Sequence, residues 1–96
     1  MNDIIGFEWD AKSENCLRER GFSFVDVTPA FADPDGAVEI DERWDYGEER
    51  RLLYGRVAGR LFVVVYTMRG RIARIISART ANHRERRRYG KGAVDE

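Results

Sequence analysis

The chain contains one cysteine, one histidine, two prolines and two lysines among 96 residues. A single thiol, Cys16, cannot close an internal disulfide, and a lone cysteine suits a reducing cytoplasm. With His83 as the sole imidazole, a zinc site of nitrogen and sulfur ligands is not expected, and no other cofactor motif is legible. Long apolar runs are missing too. Leu61 to Tyr66 is far short of the roughly 18–20 residues that span a bilayer, and Ile4-Ile5 is soon followed by Glu8 and Asp10, unlike a secretory leader. The expectation is a cytoplasmic protein with no membrane partner. At this length there is chain for one hydrophobic core, so residues 1–90 read as a single domain and 91–96 as a frayed tail.

Charge is abundant and unevenly placed. Seventeen basic residues balance 17 acidic ones, but residues 1–49 carry four basic and 14 acidic side chains, whereas residues 50–96 carry 13 and three. Fifteen of the 17 cations are arginine. Arginine presents a planar fork that grips phosphate bidentately and stacks on unpaired bases, so phosphate is the ligand class this composition favours.

Periodicity predicts an α+β domain: a small antiparallel sheet with two N-terminal helices and a C-terminal basic helix. Ile4, Ile5, Phe7 and Trp9 read as a first strand; Asp10 as the cap of a helix over Ala11 to Arg20, with Glu14 and Arg18 paired; Gly21 as its stop. Ser23 and Asp26 have capping-box spacing, and Phe24, Val27 and Phe31 share a helical face that Pro29 interrupts. Asp33-Pro34-Asp35-Gly36 is a turn, Ala37 to Ile40 a strand, and Asp41 to Glu49 an acidic loop. Arg50 to Val57 and Arg60 to Met68 flank a hairpin turn at Ala58-Gly59, the second being apolar on both faces and therefore central. Arg71 to Ala78 is the last strand. Thr80 is expected to cap a helix ending at Tyr89, before Gly90 and Gly92.

The basic residues Arg71, Arg74, Arg79, Arg84, Arg86, Arg87 and Arg88 form one continuous element in sequence, a pattern that suits RNA and is also produced by a solvated, ion-paired helix face. Arg74 shares a strand face with Ile72 and Ile76. Five residues on, regular alternation would put Arg79 on the opposite face. Cleavage of RNA by attack of a 2′-hydroxyl on its own phosphate needs a base, an acid and positive charge for the phosphorane, and no metal. Arginine cannot be the base; Glu85 can, provided nearby arginines position it without making it too weak. Glu85 also sits one helical turn from Arg88 and Tyr89, and Tyr89 can donate a proton, stack on a base or simply pack. His83, alone on a basic helix, reads as exposed. Cys16 reads as packing and Trp9 as core, while Trp44 and Tyr46, in the acidic loop, suit a protein partner. Glu48 and Glu49 beside Arg50 and Arg51 read as an ion-pair cluster.

Taken in order, Phe7-Glu8-Trp9-Asp10, Lys12, Arg20-Gly21-Phe22-Ser23-Phe24, Phe31-Ala32-Asp33-Pro34, Gly47-Glu48-Glu49-Arg50, Gly55, Arg74-Ile75-Ile76-Ser77-Ala78-Arg79, Ala81, Glu85-Arg86 and Tyr89 resemble the BrnT family of bacterial toxins over about residues 7–89. The ending is the most specific part. The resemblance implies a RelE-like fold and a ribonuclease toxin of a type II toxin–antitoxin pair that inhibits translation. It also implies a BrnA-like ribbon-helix-helix antitoxin as partner, with DNA reached only through that antitoxin. Carried over by position, Arg74, Arg79, Glu85, Arg86 and Tyr89 are the catalytic candidates and Ser77 matches without a role; Arg71, Arg84, Arg87 and Arg88, from the basic stretch itself, are the RNA-binding candidates. Pro29, Trp44 and Tyr46 depart from the family pattern, and His83 replaces a basic residue. The expected function is a metal-independent endoribonuclease. A non-catalytic nucleic-acid-binding module and a protein docking an acidic partner are the rivals that the same arginines would serve.

Overall fold

The computed structural model describes residues 4–42 and 47–89. The expected partner residues Trp44 and Tyr46, and the tail 91–96, lie outside the described residues. The elements in chain order are β1 (Gly6–Glu8), α1 (Lys12–Arg20), α2 (Phe24–Val27) running into a 3-10 helix (Thr28–Ala32), β2 (Ala37–Asp41), β3 (Arg50–Val57), β4 (Arg60–Arg69), β5 (Ile72–Thr80) and α3 (His83–Tyr89). The five strands form one sheet in the order β1-β5-β4-β3-β2, which puts β4 at the centre, where its two-sided apolar pattern belongs. The fold is α+β, but the sheet is mixed and not antiparallel: β1 pairs parallel to β5, Phe7 opposite Ala73. A parallel neighbour needs a long crossover, and everything from α1 to β4 lies between the two strands.

One face of the sheet carries the main core. Phe62, Val64 and Tyr66 of β4, Leu53 of β3 and Ala73, Ile75 and Ala78 of β5 pack against Cys16 of α1, Phe22, and Phe24, Val27 and Ala30 of the second helical segment. Trp9 joins this layer edge-on to Phe24, and Phe31 is edge-on to Tyr66. Gly55 is required here, because a Cβ on it would come within 2.5 Å of the Ala30 carbonyl oxygen. Cys16 is buried and its Sγ faces the Ala78 carbonyl oxygen at 3.7 Å; burial pushes the thiol pKa up, as suits packing.

Several helix ends differ from expectation for local reasons. Ala11 occupies the α1 cap position, while Asp10 accepts the Lys12 amide at 2.9 Å from one residue further back. Gly21 ends α1 in the left-handed conformation as predicted. The Ser23–Asp26 capping box forms, but α2 lasts one turn: Pro29 lacks an amide proton, and the chain tightens into the 3-10 helix with proline in its first turn. Asp41 is not loop; it ends β2, buried, opposite Arg50. Arg18 bonds Asn15 on α1. The Glu48–Arg50 and Glu49–Arg51 pairs form, at 4.0 and 3.0 Å. No helix among the described residues is long and apolar enough to cross a membrane.

Candidate nucleic-acid interface

The second face of the sheet holds the functional candidates, and a β-bulge decides which. Along β4 and β5, Val65 is opposite Ser77 but Tyr66 is opposite Ile75, so Ile76 is an extra residue on β5. An inserted residue reverses the alternation beyond it. Ala73 and Ile75 before the bulge, and Ala78 after it, all face the main core. Ile72, Arg74, Ser77 and Arg79 therefore share the opposite face. The two arginines that regular spacing would separate now point the same way. Arg74 is opposite Thr67 and Arg79 opposite Val63, which places their Cα atoms about 13 Å apart along the strand.

This face is built in rows. At the α3 end, Ala37, Tyr54, Val63 and Arg79 lie opposite one another; the next row is Glu39, Leu52, Val65 and Ser77. At the far end, Arg74 has Thr67 on one side and Glu8 on the other, and Arg50 is opposite buried Asp41. α3 packs at the first row, where Tyr89 and Ala81 meet Tyr54, Leu61 and Val63, and Leu52 of the second row borders this cluster.

Asn82, not Thr80, caps α3. Its side-chain oxygen accepts the Glu85 amide at 2.8 Å, and Glu85 accepts the Asn82 amide at 2.9 Å, a reciprocal capping box. Thr80 is still strand, paired with Phe62. The same Glu85 carboxylate takes both terminal nitrogens of Arg79, each at 2.8 Å. Arg79, followed by the Asn82 amide, holds the Glu85 pKa below the usual carboxylate value, outweighing the opposing effect of burial. A carboxylate so engaged accepts a proton poorly. What it does well is fix the guanidinium, whose side chain remains 43% exposed.

Tyr89 stacks on Tyr54 with ring centroids 4.0 Å apart and planes at 15°, and the Arg88 guanidinium lies 5.5 Å from the Tyr89 ring centre. Burial first, then the Glu39 and Glu85 charges, raise the Tyr54 pKa against the pull of Arg79 and Arg88, so its hydroxyl stays protonated at neutral pH. Arg74 meets Glu8 at 3.4 Å and Asp10 at 3.9 Å. Arg86 donates to the Ala81 carbonyl at 2.9 Å and borders a groove of about 290 Å³ with Arg60, Leu61 and Thr80. Arg84, Arg87, Arg88 and His83 are exposed on α3, whereas Arg71 lies in the turn before β5, about 26 Å along that strand from α3. The expected basic stretch is thus split between the two ends of β5.

Tyr54, Glu8, Arg50 and Asn82 join the site without having been singled out as candidates for its chemistry. Asn82-x-x-Glu85 was legible as a capping box; Tyr54 carried no signal, since its partner is 35 positions away. Among the described residues, no three of His, Cys, Asp and Glu cluster as metal ligands do. A family model described as ribonuclease toxin, BrnT, of type II toxin–antitoxin system matches residues 9–85. No curated protein matches the chain.

Proposed function

The chain belongs to the BrnT family of type II toxin–antitoxin ribonuclease toxins, and on that premise we propose that it is a metal-independent endoribonuclease that inhibits translation by cutting RNA in the cytoplasm, restrained by a BrnA-like antitoxin. The observation that carries this reading is the pair of arginines, Arg74 and Arg79, turned onto one open face by the bulge, with Arg79 locked by Glu85. In the proposed reaction the 2′-oxygen bonds to the adjacent phosphorus, the bond to the 5′-oxygen breaks, and the 2′-hydroxyl proton is balanced by one gained at the 5′-oxygen. The products are a 2′,3′-cyclic phosphate and a 5′-hydroxyl. Charge builds on the non-bridging oxygens, where fixed guanidinium groups act most strongly because they need not reorganise.

Within this proposal Glu85 positions Arg79, Arg74 exchanges its carboxylates for phosphate, Tyr89 supports the Tyr54 ring, and Arg86 holds the turn that aims α3. Arg84, Arg87 and Arg88 supply long-range attraction to the RNA backbone, and Arg71 does so at the opposite end.

The test is incubation of the purified protein with an unstructured end-labelled RNA in excess EDTA. Fragments ending in cyclic phosphate are expected, and Arg79→Ala should reduce their rate by roughly 10²–10³, the usual cost of one transition-state donor. Intact RNA under all conditions, with salt-sensitive binding alone, would return the chain to the class of non-catalytic binders.

A further inference from the structure

Among the described residues, no helix lies over the strip between the two charged ends of the face. Leu61, Phe62, Val63, Val64, Tyr66 and Thr67 of the central strand are all buried, whereas Val65, in their midst, is only half-buried. Its neighbours across the strands, Leu52 and Ser77, are also half-buried. A side chain in the middle of a five-stranded sheet keeps this exposure only where no other element packs over it. Among the described residues, α3 packs at the first row, with Leu52 bordering that cluster from the second, and the remaining helices lie on the opposite face.

We propose that Leu52 and Val65 form the seat of one unpaired nucleobase, so that the substrate is single-stranded RNA. This rests on the reading of the site as an RNA site. The row Leu52, Val65 and Ser77 spans three strands, about 10 Å, with two apolar side chains for a base face to lie on. It is flanked along the strands by cationic side chains: Arg79 and Arg88 on the α3 side, Arg50 and Arg74 on the other. A base on the strip would therefore have its two neighbouring phosphates directed toward guanidinium groups. Ser77 and Glu39, at the ends of the same row, offer hydrogen bonds to the edge of the base. In an A-form duplex the base faces are occupied by stacking, and a helix presents only its backbone and shallow groove.

The experiment is a cycle between protein and RNA. A short unstructured RNA, 2′-O-methylated at every sugar so that it cannot be cut, is scanned with a single abasic position, and binding is measured to the parent and to the Leu52→Thr/Val65→Thr variant, with folding followed by thermal melting. In the parent, one abasic position should weaken binding by about tenfold. The variant should bind the complete RNA correspondingly more weakly and lose little more at that position, since the partner has already gone. Should the double variant lose its cooperative melt, Val65→Thr alone carries the comparison. Losses that multiply independently, or no sensitive position at all, overturn the seat. If the parent cuts unmodified RNA but the losses multiply, the seat falls and the ribonuclease reading stands. If RNA is never cut but the cycle couples, the reverse holds. Variants that weaken antitoxin binding and leave RNA binding unchanged would assign the strip to the protein partner and overturn the proposal.

Discussion

Replacing Glu85 with glutamine separates the two jobs this residue performs. Glutamine at the third helical position can still accept the Asn82 amide, so the cap survives. The charge is lost, and with it the two-pronged bond to Arg79 and a favourable anion at a helix N-terminus. Hydrogen bonds to charged groups contribute about 1.5–3 kcal/mol. Arg79 is 43% exposed, so solvent screening reduces that to the low end or below, near 1 kcal/mol. The dipole interaction adds about 0.5 kcal/mol. The expected loss is about 1.5 kcal/mol, a fall in Tm of roughly 6–12 °C for a domain of this size. The pH dependence has a definite sign. Because the folded-state pKa lies below the ordinary value of 4.5, the carboxylate's contribution is complete above that value and disappears as pH falls through the lower, folded value. Melting curves of parent and Glu85→Gln should thus differ by a constant gap near neutrality and converge in acid. In cleavage assays the variant should retain the parental pH profile and lose about tenfold in kcat, less than the 10²–10⁴ typical of a missing general base. It should also add nothing to Arg79→Ala. Identical melting at neutral pH, or a gap that persists in acid, refutes the stability argument. Loss of a pH limb together with a base-sized drop in kcat refutes the positional role.

Three other perturbations test separate parts of the structure. Ala58 holds φ of 51° beside Gly59 at 84° in the β3–β4 turn, a left-handed pair that asparagine tolerates better than alanine; Ala58→Asn should raise Tm by roughly 4–8 °C in thermal melts and leave RNA binding alone. Gly55→Ala should destabilise by about 1–3 kcal/mol in urea titration, because the new methyl meets backbone at Ala30 and not a movable side chain. Glu8→Gln removes the nearer carboxylate from Arg74 and should tighten RNA binding about threefold at low salt, measured by fluorescence anisotropy; weaker binding would show that Glu8 holds Arg74 in place and does not compete for it.

Local chemistry made most elements legible. The Ala58-Gly59 hairpin, the Gly21 stop, the Ser23–Asp26 box and the central position of β4 each follow from a few neighbouring residues. What escaped depends on pairing between distant segments. Nothing within Gly6–Glu8 dictates a parallel partner 66 positions away. The bulge at Ile76 has no sequence mark, since isoleucine is as content in a regular strand, and yet it moves Arg79 to the other face. The start of the last helix is legible from its cap chemistry: threonine is a competent cap, but only Asn82 has glutamate three residues on.

The bulge also gives the opposed charges of the two chain halves a structural meaning. Arg56 pairs with Asp33 and Asp35, Arg69 with Glu8 and Glu48, and Arg74 with Glu8 and Asp10, each joining an acid of the first half to an arginine of the second. Arg79 is held differently. Its carboxylate comes from Glu85, six residues on, in the basic half, and the same carboxylate caps the helix that bears Arg84, Arg87 and Arg88. Pairs between the halves hold strands together and neutralise charge; the Arg79–Glu85 pair instead ties the conformation of α3 to the direction of one guanidinium. Melting the first turn of α3 would therefore release Arg79, and any partner that displaced this short helix would free that guanidinium without contacting it directly.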